Sequence, residues 1–187
     1  FLTEKLQNPD HTYRYQNTNI VSPDQHDVPI TVGADYIGGG HSHPEDGHPM
    51  FSFADVGVLR SAYEQTTPAS RRAEVYFMLV CKNQISGAVK SYAIKVDNII
   101  ALSSAYDAVW NDPKYASIAD EKERMKKILQ VQGKKYNNCG GQYEKSFLQQ
   151  FSTFGISLYE ATNESLSSWS NLKLENTTQL VIPIPCN

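Results

Sequence analysis

Two histidines and an aspartate lie close enough in the sequence to form a metal site. His41 and His43 are separated by one residue, and Asp55 follows 12 residues after His43. Alternate side chains of an extended strand point to the same face, so the two imidazoles are expected to lie side by side. Two imidazole nitrogens and one carboxylate oxygen suit Zn²⁺ and leave a fourth position for water, as in a catalytic zinc site rather than a closed structural one.

The residues around these ligands predict the elements that would hold them. Glycines at 38–40 precede His41 and would let the strand backbone approach a neighbouring group closely. Pro44 ends the strand, since proline cannot donate to a ladder. Ser52 stands at the N-cap position of an apolar helix, so Asp55 falls in the first helical turn. A strand end and a helix start are therefore expected to converge on one ion.

The spacing of these residues resembles the signature of a known enzyme family. Residues 41–44 read His-Ser-His-Pro, and Ser52 and Asp55 follow in the pattern H-[ST]-H-P-x7-S-x-x-D. This resembles the JAMM, or MPN-plus, metalloproteases, and every fixed position of their signature is filled. The resemblance implies an α/β fold, a sandwich of a mixed β-sheet with flanking helices. It also implies zinc ligands at His41, His43 and Asp55, and a Ser52 hydroxyl that stabilises the oxyanion of the tetrahedral intermediate.

The general base is the part of the family pattern that this sequence fills least clearly. JAMM proteases use an upstream glutamate, on an early strand, to take a proton from the zinc-bound water and return it. Glu4 is the only glutamate before His41, and residues 1–7 look like the end of a helix. Asp10 is the weaker candidate. A second interpretation follows, a non-catalytic zinc-binding structural or interaction module that lacks the base.

The remaining histidines and the cysteines have simpler interpretations. His48 is either an extra ligand or substrate contact, or a solvated turn histidine, which we prefer. His11 and His26 fall in polar, loop-like stretches and are predicted to be solvated. The three cysteines are widely spaced and contain no CxxC pair, so a second zinc site is not expected. Cys81 lies in an apolar segment and is predicted to be a buried thiol.

Length and composition indicate one globular domain of ordinary size. The chain has 187 residues, of which 40% are hydrophobic and 20% charged, enough to bury a core. The net charge is −3 and there is no basic run, which argues against a nucleic-acid partner. No apolar stretch reaches about 18 residues, so no membrane-spanning helix is expected. The first residue is not Met and no signal-peptide pattern follows it, so we expect a piece of a longer protein or a processed form.

Hydrophobic patterning predicts a β-β-β-α-β-β order up to residue 100 and a different second half. The first part has strands at 12–20 and 27–37, the strand of His41 and His43 that ends at Pro44, a helix at 52–65, and strands at 73–81 and 91–96. The apolar run at 73–81 predicts a strand buried on both faces. The second has helices at 98–111, 117–134 and 142–153, then short strands at 156–160, 172–174 and 180–184. We expect a single domain over 1–187, with its core at about 10–100. The extension over 101–187 either packs on that core or forms a small accessory sheet.

The layout also resembles the JAB-like domains at the C-terminal ends of large bacterial secreted or toxin-type polypeptides. That likeness rests on residues 38–55 and 183–187 and is less specific than the zinc motif. Together, the resemblances imply a zinc metallopeptidase that hydrolyses a peptide or isopeptide bond. Its partner would be a protein or peptide substrate, the parent polypeptide being one candidate. The location implied is secreted or cell-surface, within a larger protein.

Overall fold

One mixed sheet positions the two candidate histidine ligands. The structure, a computed structural model, describes residues 1–19, 30–43, 47–82 and 87–186. Within these ranges the strands follow the order β2-β1-β3-β4-β5-β6-β7-β8, and neighbours are antiparallel except for the parallel pair β3 and β4. The strands are β1 (Leu2–Gln7), β2 (Tyr13–Thr18), β3 (Tyr36–Ser42), β4 (Tyr76–Lys82), β5 (Val89–Val96), β6 (Ile156–Ala161), β7 (Trp169–Leu174) and β8 (Val181–Pro185). The chain is therefore of the α/β class, as predicted.

In the described part of the chain, the first four α-helices begin at a residue whose side chain caps the first turn. The helices are α1 (Phe53–Gln65), α2 (Ile99–Trp110), α3 (Pro113–Ala116), α4 (Glu121–Asn137) and α5 (Tyr143–Gln150), with a 3₁₀ helix at Ala69–Glu74. The helix predicted over 117–134 instead begins at 121, and the short α3 precedes it. Asp120 causes this start, because its side chain accepts the Glu123 amide at 2.9 Å.

Two predictions for the first 40 residues are wrong. Leu2–Gln7 form a strand rather than the end of a helix, because β1 pairs with β2 on one side and β3 on the other. Leu, Glu, Lys and Gln favour helices in isolation, but sheet pairing overrides that preference. The strand predicted over 27–37 starts only at Tyr36, whose amide donates to Gly33 O at 3.1 Å in a turn. Residues 27–29 lie outside the described ranges.

The hydrophobic core lies on one face of β4. Phe77, Leu79 and Cys81 are buried, whereas the alternate side chains from Tyr76 to Val80 are only half-buried. This strand is therefore buried on one face, not on both as predicted. Cys81 is a buried thiol as predicted, and burial raises its pKa to about 12. The buried side chains of the helices and of these strands form one continuous cluster.

The C-terminal strands extend the main sheet rather than forming an accessory one. β6 pairs with β5, with Leu158 opposite Ile94, and β7 and β8 follow outward. No helix in the described part of the chain is long and apolar enough to cross a membrane. The sequence also predicts a loop at 22–25 and a turn at 83–84 and 86–87. The loop, residues 83–86 of the turn, the solvated His26 and the strand end at Pro44 lie outside the described residues.

Candidate metal centre

The end of β3 places both histidines against one neighbouring strand. A Cβ on Gly38 would lie 2.7 Å from Tyr76 O, so the glycine allows β3 to approach β4 closely. The sequence predicts a close approach here without identifying the neighbouring group. Pairing continues past the last strand residue, because the His43 amide donates to Val80 O at 3.1 Å. The two imidazole rings lie on the same side, with 4.8 Å between their centroids.

The first turn of α1 fixes the aspartate. The Ser52 amide donates to Asp55 Oδ2 at 2.6 Å, and the Asp55 amide donates to Ser52 Oγ at 3.3 Å, which is a reciprocal capping box. The Ser52 hydroxyl also donates to Asp55 Oδ2, at 2.8 Å. Asp55 is 8% exposed. Two contacts from Ser52, its amide and its hydroxyl, therefore hold this carboxylate in a single orientation.

The three predicted ligands converge. His41 Nε2 lies 3.4 Å from Asp55 Oδ1, and His43 Nε2 lies 3.9 Å from Asp55 Oδ2. Ligand atoms of all three residues lie within 4.8 Å of one another. A tetrahedral ion with bonds of about 2.0–2.1 Å holds its ligand atoms about 3.4 Å apart. This group could therefore hold a metal ion.

The protonation of the imidazoles suits metal binding. His43 Nδ1 lies 2.6 Å from His48 O, and because a carbonyl can only accept, Nδ1 carries a proton and leaves Nε2 free to bind. Burial lowers the pKa of His41, Asp55 opposes this effect, and His43 lowers the pKa further. Neutral imidazole is the form that binds metals. The buried Nδ1 of His41 has no hydrogen-bond partner among the described residues.

A cleft opens onto this group. Its volume is about 1360 Å³, and residues of α4 line it together with the candidate ligands. The side chains of His41, His43 and Asp55 are 19%, 18% and 11% exposed. The ligand atoms are thus partly shielded by the protein yet reachable from the cleft.

Glu4 and Asp10 are not brought to the ligand group. Glu4 lies opposite Tyr36 in the β1–β3 pairing, whereas His41 is five residues further along β3. At about 3.3 Å per residue, this is about 16 Å along the strand. Asp10 is exposed in the turn before β2, where it accepts from Thr12. The general base predicted at Glu4 therefore has no support from this geometry.

His48 is neither a member of the ligand group nor a solvated turn histidine. It is half-buried rather than solvated, and its ring packs 5.3 Å from the Tyr136 ring. Burial lowers its pKa, with a smaller lowering from His43. It lines the cleft without belonging to the ligand group. His11 is exposed, as predicted.

Sequence reasoning missed two residues of α4. Phe53 N donates to Gln132 Oε1, and the Tyr136 hydroxyl donates to Phe51 O, each at 2.8 Å. The charged surface of α4 is exposed, but its buried stripe also carries these polar groups. The available signal was the i, i+4, i+8 spacing of Ile128, Gln132 and Tyr136 in an otherwise charged helix.

The candidate metal centre is defined by its own geometry, the convergence of two imidazoles and a carboxylate beside a cleft. No protein-family model matches the chain, and no curated protein or solved structure matches it either.

Proposed function

We propose that this chain is a zinc-dependent metallopeptidase of the JAMM type, which hydrolyses a peptide or isopeptide bond. The convergence of His41, His43 and Asp55 at the wall of an open cleft carries the proposal. Two imidazoles with one carboxylate favour zinc over magnesium or calcium, which prefer oxygen ligands alone. A three-residue ligand set is typical of catalytic zinc, because it leaves a position for water or substrate.

The contacts of each site residue support a specific role in the proposed zinc binding and hydrolysis. Zinc, when bound, would polarise a carbonyl and lower the pKa of a water. His48 O keeps the Nδ1 proton on His43, so that Nε2 points toward the other ligands. The Ser52 amide holds Asp55 Oδ2, which leaves Oδ1 toward His41. The Ser52 hydroxyl would rotate away from Asp55 to donate to a substrate oxyanion, as the family resemblance implies.

The cleft favours a polypeptide substrate. Small-molecule sites usually occupy about 300–1000 Å³, and this cleft is larger, at about 1360 Å³. Val58, Trp110, Met125 and Leu129 give it an apolar lining beside the ligand group. An extended segment could lay apolar side chains there and bring its backbone to the metal. The parent polypeptide is one candidate source of such a segment.

The position of Glu4 favours a second candidate function, a zinc-binding module without hydrolytic activity. A peptidase needs a carboxylate within reach of the water to be activated. Besides Asp55, the acids among the described residues that line the cleft are Glu121 and Glu123, both exposed in the first turn of α4. Under the peptidase proposal, they replace Glu4 as the first acids of this chain to test.

Metal analysis followed by a cleavage assay tests the proposal. We expect about one zinc per chain in protein purified without chelator, most of it lost in His43→Ala. The matched control is His11→Ala, which removes an exposed histidine elsewhere. A peptide library should then be cleaved in a zinc-dependent way. Protein that takes up no zinc would refute the metal centre, whereas zinc uptake without cleavage of any substrate would favour the binding module.

A further inference from the structure

Helix α4 holds the chain on both sides of Ser52. Gln132 Oε1 accepts from Phe53 N, one residue after the serine, and the Tyr136 hydroxyl donates to Phe51 O, one residue before it. Gln132 and Tyr136 are 8% and 2% exposed, so water hardly competes for either hydrogen bond. Two buried side chains one helical turn apart therefore fix the segment that leads into Asp55.

Gln132 is not explained by packing alone. Its Oε1 is identified by the amide that donates to it, yet its buried Nε2 has no partner of hydrogen-bond geometry among the described residues. Burial raises the pKa of the Tyr136 phenol, Asp55 raises it further, and the Gln132 amide beside the hydroxyl has a smaller, lowering effect. A buried donor without an acceptor carries a desolvation cost that an apolar side chain would avoid. The contact with Phe53 N is a reason for glutamine at this position.

The same helix contacts the histidine side of the site. The Tyr136 ring packs against His48, and a Cβ on Gly133 would lie 3.1 Å from His48 Nε2, so glycine permits the close approach. His48 O in turn accepts the Nδ1 proton of His43. Helix α4 thus contacts His43 indirectly through His48, and Asp55 indirectly through the backbone on either side of Ser52.

We infer that Gln132 and Tyr136 are positioning residues of the metal centre, which hold Ser52 and Asp55 where both imidazoles can share an ion with the carboxylate. This inference rests on the zinc binding proposed above. Neither side chain is a ligand; each acts through the backbone beside Ser52. Groups that orient metal ligands typically change metal affinity by about 10–100-fold when they are removed.

Zinc affinity in two variants tests the inference. Gln132→Met removes the acceptor with little change in side-chain length, and Tyr136→Phe removes only the hydroxyl. Competition with a chromophoric chelator should show zinc binding weakened by about tenfold or more in each variant. The measurement is made well below the melting temperature of the metal-free proteins. A merely structural role would then lower the melting temperature without changing the zinc affinity of folded molecules.

Two further variants identify the cause of any loss. Gln130→Met makes the same chemical change at an exposed position of α4 and should bind zinc like the unmodified protein. Gln132→Glu keeps an oxygen that can accept from Phe53 N and should bind zinc at least as tightly as the unmodified protein. Affinity within twofold of the unmodified protein in both Gln132→Met and Tyr136→Phe would overturn the inference, as would an equal loss in Gln130→Met.

Hydrogen exchange of the unmodified protein gives a test that needs no variant to fold. The Phe53 amide should be protected before zinc is added, because Gln132 already accepts it. Exchange at the rate of an unprotected amide would overturn the inference. The two proposals also fail differently: unmodified protein without zinc affinity refutes the proposed function, whereas normal zinc affinity in both positioning variants refutes only this inference.

Discussion

In the described part of the chain, two clusters of partly buried polar side chains differ in the source of the positive charge that faces their carboxylates. In the first, which we call the lysine cluster, Lys90 Nζ lies 2.7 Å from Glu144 and 2.8 Å from Glu160, and the Tyr92 hydroxyl donates to Glu144 at 2.6 Å. In the second, the metal centre, two imidazoles face one carboxylate. Within the described residues, the ion pairs of Asp55 involve histidines alone.

The difference indicates a structural role for the lysine cluster and supports the metal-binding role proposed for the other. In the lysine cluster, the ammonium group of Lys90 balances the negative charge of the two carboxylates. These ion pairs also connect β5 to α5 and β6. In the metal centre, the Nε2 atoms and the carboxylate oxygens instead face one another, an arrangement that a cation among them would stabilise. Its partners are also arranged to orient ligands, as the His43 contact with His48 O shows.

Asp55→Asn should break the metal centre while leaving the fold intact, and we expect the largest effect here. The amide keeps the shape and one acceptor but loses the charge, so zinc affinity should fall by more than the ~100-fold seen for orienting groups. The free energy of unfolding of the metal-free protein should change by only about 1 kcal/mol. Chelator competition and chemical denaturation measure the two quantities. Zinc affinity like that of the unmodified protein would remove Asp55 from the ligand set.

Glu144→Gln should have the opposite pattern, with lower stability and unchanged zinc affinity. Burial alone would raise the pKa of Glu144, but the hydrogen bonds from Lys90 and Tyr92 outweigh it and hold the pKa below its usual 4.5. The stabilisation from this carboxylate is therefore present above pH 4.5 and lost as the pH falls through the lowered value. At neutral pH, we expect the substitution to cost about 1.5 kcal/mol, since hydrogen bonds to a charged group are replaced by neutral ones.

Denaturation curves across pH test this second pattern. Below pH 4.5, the unmodified protein should lose stability more steeply than Glu144→Gln, and the two curves should approach each other in acid. Parallel curves over the whole range would show that the carboxylate does not carry the effect. A loss of zinc affinity in Glu144→Gln would show that the two clusters are coupled.

The ligands could be predicted from sequence because local structure places them. Strand alternation puts His41 and His43 on one face, and the capping box fixes Asp55 three residues after Ser52. Only the approach of the strand end to the helix start is non-local, and the short connection between them restricts it. A short motif can therefore specify most of a metal site.

The rest of the site depends on contacts between distant parts of the chain. Gln132 and Tyr136 reach residues 79 and 85 positions earlier, and neither belongs to a motif. The strand β1 was predicted as a helix end because its own residues favour helices and only its neighbours make it a strand. The pairing of β6 with β5 is likewise a long-range register that periodicity does not contain.

We expect the smallest effect from Glu4→Gln, which tests whether strand β1 contributes a residue to the metal centre. The β1–β3 pairing places Glu4 beside Tyr36, about 16 Å along the strand from His41, so it cannot exchange a proton with a water there. Zinc affinity and the turnover of any cleavable substrate should stay within about twofold of the unmodified protein, as measured by chelator competition and initial rates. A general base would instead cost roughly 10²–10⁴-fold in turnover. A loss of that size with unchanged zinc content would mean that β1 leaves the sheet and carries Glu4 to the metal during catalysis. Unchanged turnover would direct the search for the base to Glu121 and Glu123, which also line the cleft.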